Sequence, residues 1–152
     1  MLGYWDDPEK TNDTIDNYGW LHSGDLGVMD NDGYVEVVGR LKDMIIRGGE
    51  NIYPREVEAC FYQHPAVQDV QVFGIPDERF GETVCAWVQV KRGQQLDADT
   101  LISFAKPLLA HFKIPQHFHF VENYPMTVTG KVQKFKMREM MLTALKDAAK
   151  SR

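Results

Sequence analysis

Two β-rich runs, residues 67–75 and 83–90, separated by Pro76-Asp77 and Gly81, constrain the fold more than any other feature of this chain. Valine, isoleucine, phenylalanine and threonine concentrate in them and turn formers punctuate the connection, so they read as central strands. Helical patterns flank them. Pro54 opens one helix, with Glu56 and Glu58 near its positive N-terminus, an inward face of Val57, Cys60, Phe61 and His64, and Pro65 as its end. Asp97 caps a second helix, in which Leu101, Ile102, Ala105, Leu108 and Leu109 fall at helical spacing. Pro107 lacks an N–H and crowds the carbonyl of Ser103, so that helix must kink or stop near Ala105 or Lys106. Residues 118–121 form a third strand. Residues 134–150 form an amphipathic helix carrying Met137, Met141, Ala144, Leu145 and Ala148 on one side.

Upstream, residues 44–46 and 51–53 suit a short β-pair around Gly48-Gly49. Residues 1–19 are polar and turn-rich and read mainly as surface loop. A hairpin follows, its runs at 26–29 and 34–38 joined by Asp30-Asn31-Asp32-Gly33. Two strands cannot build a core of their own. The expected class is therefore α+β: a small central sheet covered by three helices, preceded by a β-hairpin.

Bulk properties narrow the function. The 152 residues are 43% hydrophobic and 11% aromatic, enough for a compact core, and the formal charge of -5 argues against nucleic acid as a partner. No apolar run approaches the ~18 residues that span a bilayer, and no basic-then-apolar leader opens the chain, so a cytoplasmic location is expected. Cys60 and Cys85 match no metal or redox spacing and read as buried small hydrophobes. His117 and His119 share one strand face, but Phe118 and Phe120 claim the opposite one as buried and no third ligand follows, so the histidine face reads as solvated and no metal site is expected.

Chemistry concentrates at Pro125-Met126-Thr127-Val128-Thr129-Gly130-Lys131-Val132-Gln133-Lys134, where a lysine on a Thr/Gly loop between a strand and a helix can reach a phosphate. This is not a P-loop, which needs a glycine where Pro125 stands and a Ser or Thr where Val132 stands. Taken alone, Lys131 reads as a solvated lysine after a turn, and the rest of the chain overturns that reading. Three further blocks precede it in order: Trp20-Leu21-His22-Ser23-Gly24-Asp25, Gly39-Arg40-Leu41-Lys42-Asp43 and Gly48-Gly49-Glu50-Asn51-Ile52-Tyr53-Pro54-Arg55-Glu56-Val57-Glu58. Together the four blocks resemble the C-terminal part of an AMP-forming acyl-CoA synthetase, a superfamily that also holds the adenylation domains of peptide synthetases and the beetle luciferases. The wording Gly-Gly-Glu-Asn-Ile-Tyr-Pro is most similar to medium- and long-chain fatty acyl-CoA ligases.

The resemblance implies a division at the hinge: residues 1–41 end a large N-terminal domain, and residues 42–152 form a lid that turns about Lys42. The missing N-terminal domain is then the main partner, and the chain is a piece of a protein several times longer. The implied substrates are ATP, CoA and a small carboxylic acid, with Mg2+ carried by ATP and held by residues outside this chain. Lys131 matches the adenylation lysine, Asp25 the acceptor for the ribose hydroxyls, and Arg40 a nucleotide-contacting arginine. Gly48, Gly49 and Glu50 would line the pantetheine tunnel, and Lys106 aligns with a basic residue that meets CoA phosphates. Residue by residue, plainer readings stand beside these: a turn at Asp25, a strand-end ion pair for Arg40, pairing of Lys42 with Asp43, a tight turn at Gly48-Gly49, and an exposed helix lysine at Lys106. Two other functions fit the same blocks, an adenylation domain loading a carrier protein and a non-catalytic nucleotide- or CoA-binding module. Ser151-Arg152 reads as a natural terminus, which favours the ligase over the carrier-loading enzyme.

Overall fold

The computed structural model describes residues 1–150; Ser151 and Arg152, read as a terminus, lie outside the described residues. The chain divides into two compact units, Met1–Lys42 and Asp43–Arg152.

In the first unit, residues 1–19 are not all loop. A helix α1, Pro8–Thr14, forms because Asp7 caps it, accepting from the Lys10 backbone N–H at 2.9 Å, and Pro8 takes the first turn, where its missing N–H costs nothing. It buries no residue, so it has no apolar stripe for a periodicity search to find. Strands β1 (Asp25–Met29) and β2 (Val35–Arg40) form the expected antiparallel hairpin, with a bulge between Leu26 and Gly27. Asp30 closes its turn by accepting from the N–H groups of Asp32 and Tyr34, and Gly33 takes φ 87°. Val28, Met29, Tyr34 and Val35 are all exposed, so the hairpin has no apolar face covered within its own unit.

The second unit is the α+β sandwich. Strands β3 (Ile45–Arg47), β4 (Glu50–Ile52), β5 (Val67–Asp77), β6 (Gly81–Val90) and β7 (His117–Phe120) make one sheet ordered β4-β3-β6-β5, with β7 parallel beside β6. Thr83 through Val88 are buried without interruption, because both faces of the sheet are covered. On one face Val70, Val72, Val84, Ala86 and Val88 pack under α2 (Pro54–Tyr62) and α3 (Ala98–Ala105) through Val57, Phe61, Leu101 and Ala105. On the other, Phe73, Ile75, Cys85 and Trp87 pack under α4 (Lys134–Lys150) through Met137 and Met141. A register shift between Val67 and Asp69 turns Val67 into the first of these layers despite its odd number.

Helix α3 ends at Ala105, with Lys106 as its cap, as Pro107 requires. After it the chain turns, Leu108 and Leu109 both donating to the Ala105 carbonyl, and Leu108 is exposed rather than part of the apolar stripe. Helix α2 stops at Tyr62, so His64 lies beyond it and packs edge-on against Phe104, ring centroids 5.0 Å apart. In α4 the inward residues are Met137, Met141, Leu142 and Leu145, while Ala144 and Ala148 are exposed. The stripe runs at i, i+4, i+8 from Met137, and the alanines fall on its solvent flank.

The histidine strand also differs in part from expectation. Phe118 packs into the α2/α3 layer, but Phe120, near the end of β7, is 37% exposed. His117 and His119 instead lie on the face shared with Cys85 and Trp87, which α4 covers. The His119 ring sits 4.7 Å from the Trp87 ring, and burial pushes the His117 imidazole below its ordinary pKa against the pull of Asp77. His119 remains exposed and His117 is half-buried, so the face is solvated as expected at its outer edge, with the His119 ring resting against Trp87.

Candidate functional site

The loop bearing Lys131 is tied to itself. Thr127 donates its backbone N–H to the Lys131 carbonyl at 2.8 Å, and the Thr127 hydroxyl accepts the Lys131 N–H at 3.0 Å. Gly130, at φ 79°, closes the turn by donating to the Thr127 carbonyl, and the Thr127 and Thr129 hydroxyls lie 2.9 Å apart. Met126 pairs with Val132, and Gln133 donates to the Pro125 carbonyl, so the loop is a miniature hairpin with Val128, Thr129 and Gly130 at its tip and Lys131 on the last rung before it. Lys131 is exposed, and among the described residues its ammonium has no hydrogen-bond or ion-pair partner. A backbone held on both sides and a free cation at the end of four methylenes suit an anion that arrives from outside this unit.

In the first unit Asp25 and Arg40 stand opposite each other across β1 and β2, and Arg40 Nε lies 3.3 Å from Asp25 Oδ1. The strand-end ion pair and the two proposed nucleotide contacts are thus one feature. Both side chains are open to solvent, which leaves carboxylate lone pairs and guanidinium donors for a ligand. Lys42 follows in a 3-10 turn, Leu41–Asp43, at the last position of the first unit. It is exposed, and among the described residues it forms no ion pair with Asp43.

Gly48 and Gly49 form the two-residue turn between β3 and β4, with φ 60° and 89° and Arg47 paired to Glu50. Positive φ at both central residues is the turn whose twist matches a hairpin, and it explains both glycines. The turn is anchored by Gly48 donating its N–H to the Phe80 carbonyl at 2.8 Å. Two residues that the motifs do not single out lie here. The guanidinium of Arg47 sits 4.3 Å from the centroid of Phe80 and that of Arg79 4.9 Å, so two cations share one ring beside the glycines. Only the run Asp77-Glu78-Arg79-Phe80-Gly81 hinted at it, and it read as a connection between strands. Lys106 is exposed as the C-cap of α3. Among the described residues, no group of three or more His, Cys, Asp or Glu side chains could hold a metal ion. No helix of the described residues is long and apolar enough to cross a membrane.

Residues 56–131 match the family model described as the AMP-binding enzyme C-terminal domain. The chain is 54% identical over 139 residues to the putative acyl-CoA synthetase YngI of Bacillus subtilis (strain 168), covering 91% of this chain and 25% of that protein. It is 52% identical over 141 residues to the mitochondrial medium-chain acyl-CoA ligase ACSF2 of Bos taurus, covering 93% of this chain and 23% of that one. Among solved structures, ATP-bound MatB from Rhodopseudomonas palustris superposes with a TM-score of 0.85 at 40% identity, over 91% of this chain and 27% of that one. The chain spans about a quarter of the length of the curated relatives it matches.

Proposed function

The chain belongs to the AMP-binding enzyme C-terminal domain family, and from that premise we propose that it is the lid-bearing portion of an ATP-dependent ligase that converts a fatty or related carboxylic acid into its acyl-CoA thioester. The observation that carries the reading is Lys131, an unpaired ammonium on a loop whose backbone is fixed by Thr127. In the first half-reaction a carboxylate oxygen attacks the α-phosphorus of ATP, pyrophosphate leaves, and an acyl-AMP forms. Negative charge gathers on the α-phosphate and the attacking oxygen, and an aimed ammonium lowers that barrier electrostatically. Asp25 accepts from the ribose hydroxyls and Arg40 donates toward the nucleotide, exchanging their mutual ion pair for ligand contacts.

In the second half-reaction the CoA thiolate attacks the acyl carbonyl carbon, the thioester bond forms and AMP leaves with the electrons of the broken acyl-phosphate bond. Gly48, Gly49 and Glu50 give the pantetheine arm a backbone surface free of bulky side chains. Arg47 and Arg79, held against Phe80, supply cations for the CoA phosphates, with Lys106 as a further donor. Lys42 is the hinge: it acts through φ and ψ, consistent with an exposed, unpaired side chain at the end of the first unit. The N-terminal domain supplies the acyl pocket and the triphosphate cradle, which is why this chain alone should release no AMP from ATP and fatty acid. Magnesium travels with ATP, and no residue described here is assigned to it. Two free, buried cysteines fit a reducing compartment such as the cytoplasm.

The test is to measure the half-reactions separately in the full-length enzyme. Lys131→Ala should cut acyl-AMP formation by ~10²–10³ and spare conversion of supplied acyl-AMP to acyl-CoA. Lys42→Pro, which fixes φ near -65°, should do the reverse. Equal losses of both steps in both variants would remove the case for an alternating lid.

A further inference from the structure

Strand β5 is the outer strand of the sheet, and an exposed outer strand presents unpaired backbone groups that must be satisfied or shielded. At Val72 both are taken by one pair of side chains. Glu58, from α2, accepts the Val72 N–H at 2.8 Å. Lys134, the first residue of α4, donates to the Val72 carbonyl and to Glu58 Oε1, each at 2.9 Å. The two side chains are mostly covered, with 14% and 26% of their surfaces accessible. Helix, sheet and the start of a second helix are joined at one point by residues far apart in sequence.

Nothing local to α4 calls for a lysine there. The N-terminal end of a helix carries the positive pole of its dipole, which disfavours a cation in the first turn. The Glu58 carboxylate offsets that penalty only in this arrangement. What the lysine does achieve is an anchor for the segment before it. Lys134 is followed back along the chain by Gln133 bonded to Pro125, Val132 paired with Met126, and Lys131 bonded through its N–H and carbonyl to Thr127. This ladder is continuous from the clamp at Val72 to the tip of the loop.

We propose that the Glu58–Lys134 clamp on Val72 is a positioning device for the adenylation lysine. Glu58 and Lys134 are positioning residues: neither meets the substrate, and both act through the hairpin of residues 125–133 on where Lys131 starts. This rests on the reading of Lys131 given above. Because Lys131 serves one half-reaction, loss of the clamp injures that half alone, whereas a purely structural role of the pair would injure both.

The experiment uses the full-length enzyme with Lys134→Met, Lys134→Arg and Glu58→Gln beside Lys131→Ala. Acyl-AMP formation, the KM for ATP and the conversion of supplied acyl-AMP with CoA are measured for each. Lys134→Met should lower kcat for adenylation by ~10–100-fold, the scale of an ångström-level misplacement, with the KM for ATP and the thioester step changed by less than about twofold. Lys134→Arg should restore most of the loss. Glu58→Gln, which keeps an acceptor for the Val72 N–H but loses the charge facing Lys134, should fall between them and decides the matter if Lys134→Met does not fold. Equal losses in both half-reactions, or undiminished adenylation while Lys131→Ala abolishes it, would overturn the clamp. Undiminished adenylation in Lys131→Ala itself would overturn the reading of that lysine, and the positioning role with it.

Discussion

Gly49 allows backbone strain to be separated from occlusion of a channel. Its φ of 89° lies where an L-residue is disfavoured by ~1–2 kcal/mol, and a β-carbon added there would meet nothing within 4 Å. Gly49→Ala and Gly49→Leu therefore carry the same conformational cost and no collision, and each should lower the melting temperature of the second unit by about 4–8 °C per kcal/mol of that cost. Their kinetics should part. If the pantetheine arm passes this turn, the leucine blocks it and slows conversion of acyl-AMP to acyl-CoA by roughly a hundred-fold, while alanine slows it only slightly and adenylation is spared in both. Gly48 is the internal contrast, since a β-carbon there would come within 3.3 Å of Phe80 Cδ1 and disturb the ring that Arg47 and Arg79 share. Thermal melts and separate half-reaction assays on the full-length enzyme read all of this. Equal thioester rates for Gly49→Ala and Gly49→Leu would refute the channel, and a much larger melting shift for leucine would refute the claim that the space is open.

Two further outcomes follow from the titrating groups. Asp97 is held below the usual carboxylate range by the backbone N–H of Thr100, so its support of α3 is complete at neutral pH and is lost as pH falls through that lowered value. Asp97→Asn should keep the cap and flatten this acid limb of stability, which acid titration followed by circular dichroism would show; an unchanged limb would refute it. Burial pushes the Cys85 thiol up to about 12 and raises that of Cys60, so neither should react with a thiol reagent at neutral pH until the second unit unfolds. Labelling of the native protein faster than its unfolding would contradict the packing described here.

How far the sequence reached can be traced residue by residue. The Gly48-Gly49 turn, the Asp30–Gly33 turn, the Asp97 cap and the end of α3 before Pro107 are properties of a few adjacent residues, and they were legible because φ, ψ and one missing N–H decide them. Helix α1 was legible in the same way, in Asp7-Pro8-Glu9, but its polar surface carries no apolar period and hid it. The residues matched to ligand roles were found as words in order, and Lys131, Asp25 and Arg40 needed no fold to be noticed. Their partners did. That Asp25 faces Arg40, that Arg47 and Arg79 both reach the Phe80 ring, and that His119 packs tilted against Trp87 depend on strand register and packing, which local pattern does not set. The junction of Glu58, Val72 and Lys134 is the extreme case: each residue reads as ordinary surface or strand by itself. Only the closing of two helices on the outer edge of β5 brings a carboxylate, an ammonium and two backbone groups within hydrogen-bonding distance. Local sequence determined the elements, because their signals are short-ranged; tertiary packing alone decided which distant charges would meet at the outer edge of β5, beside the Lys131 loop.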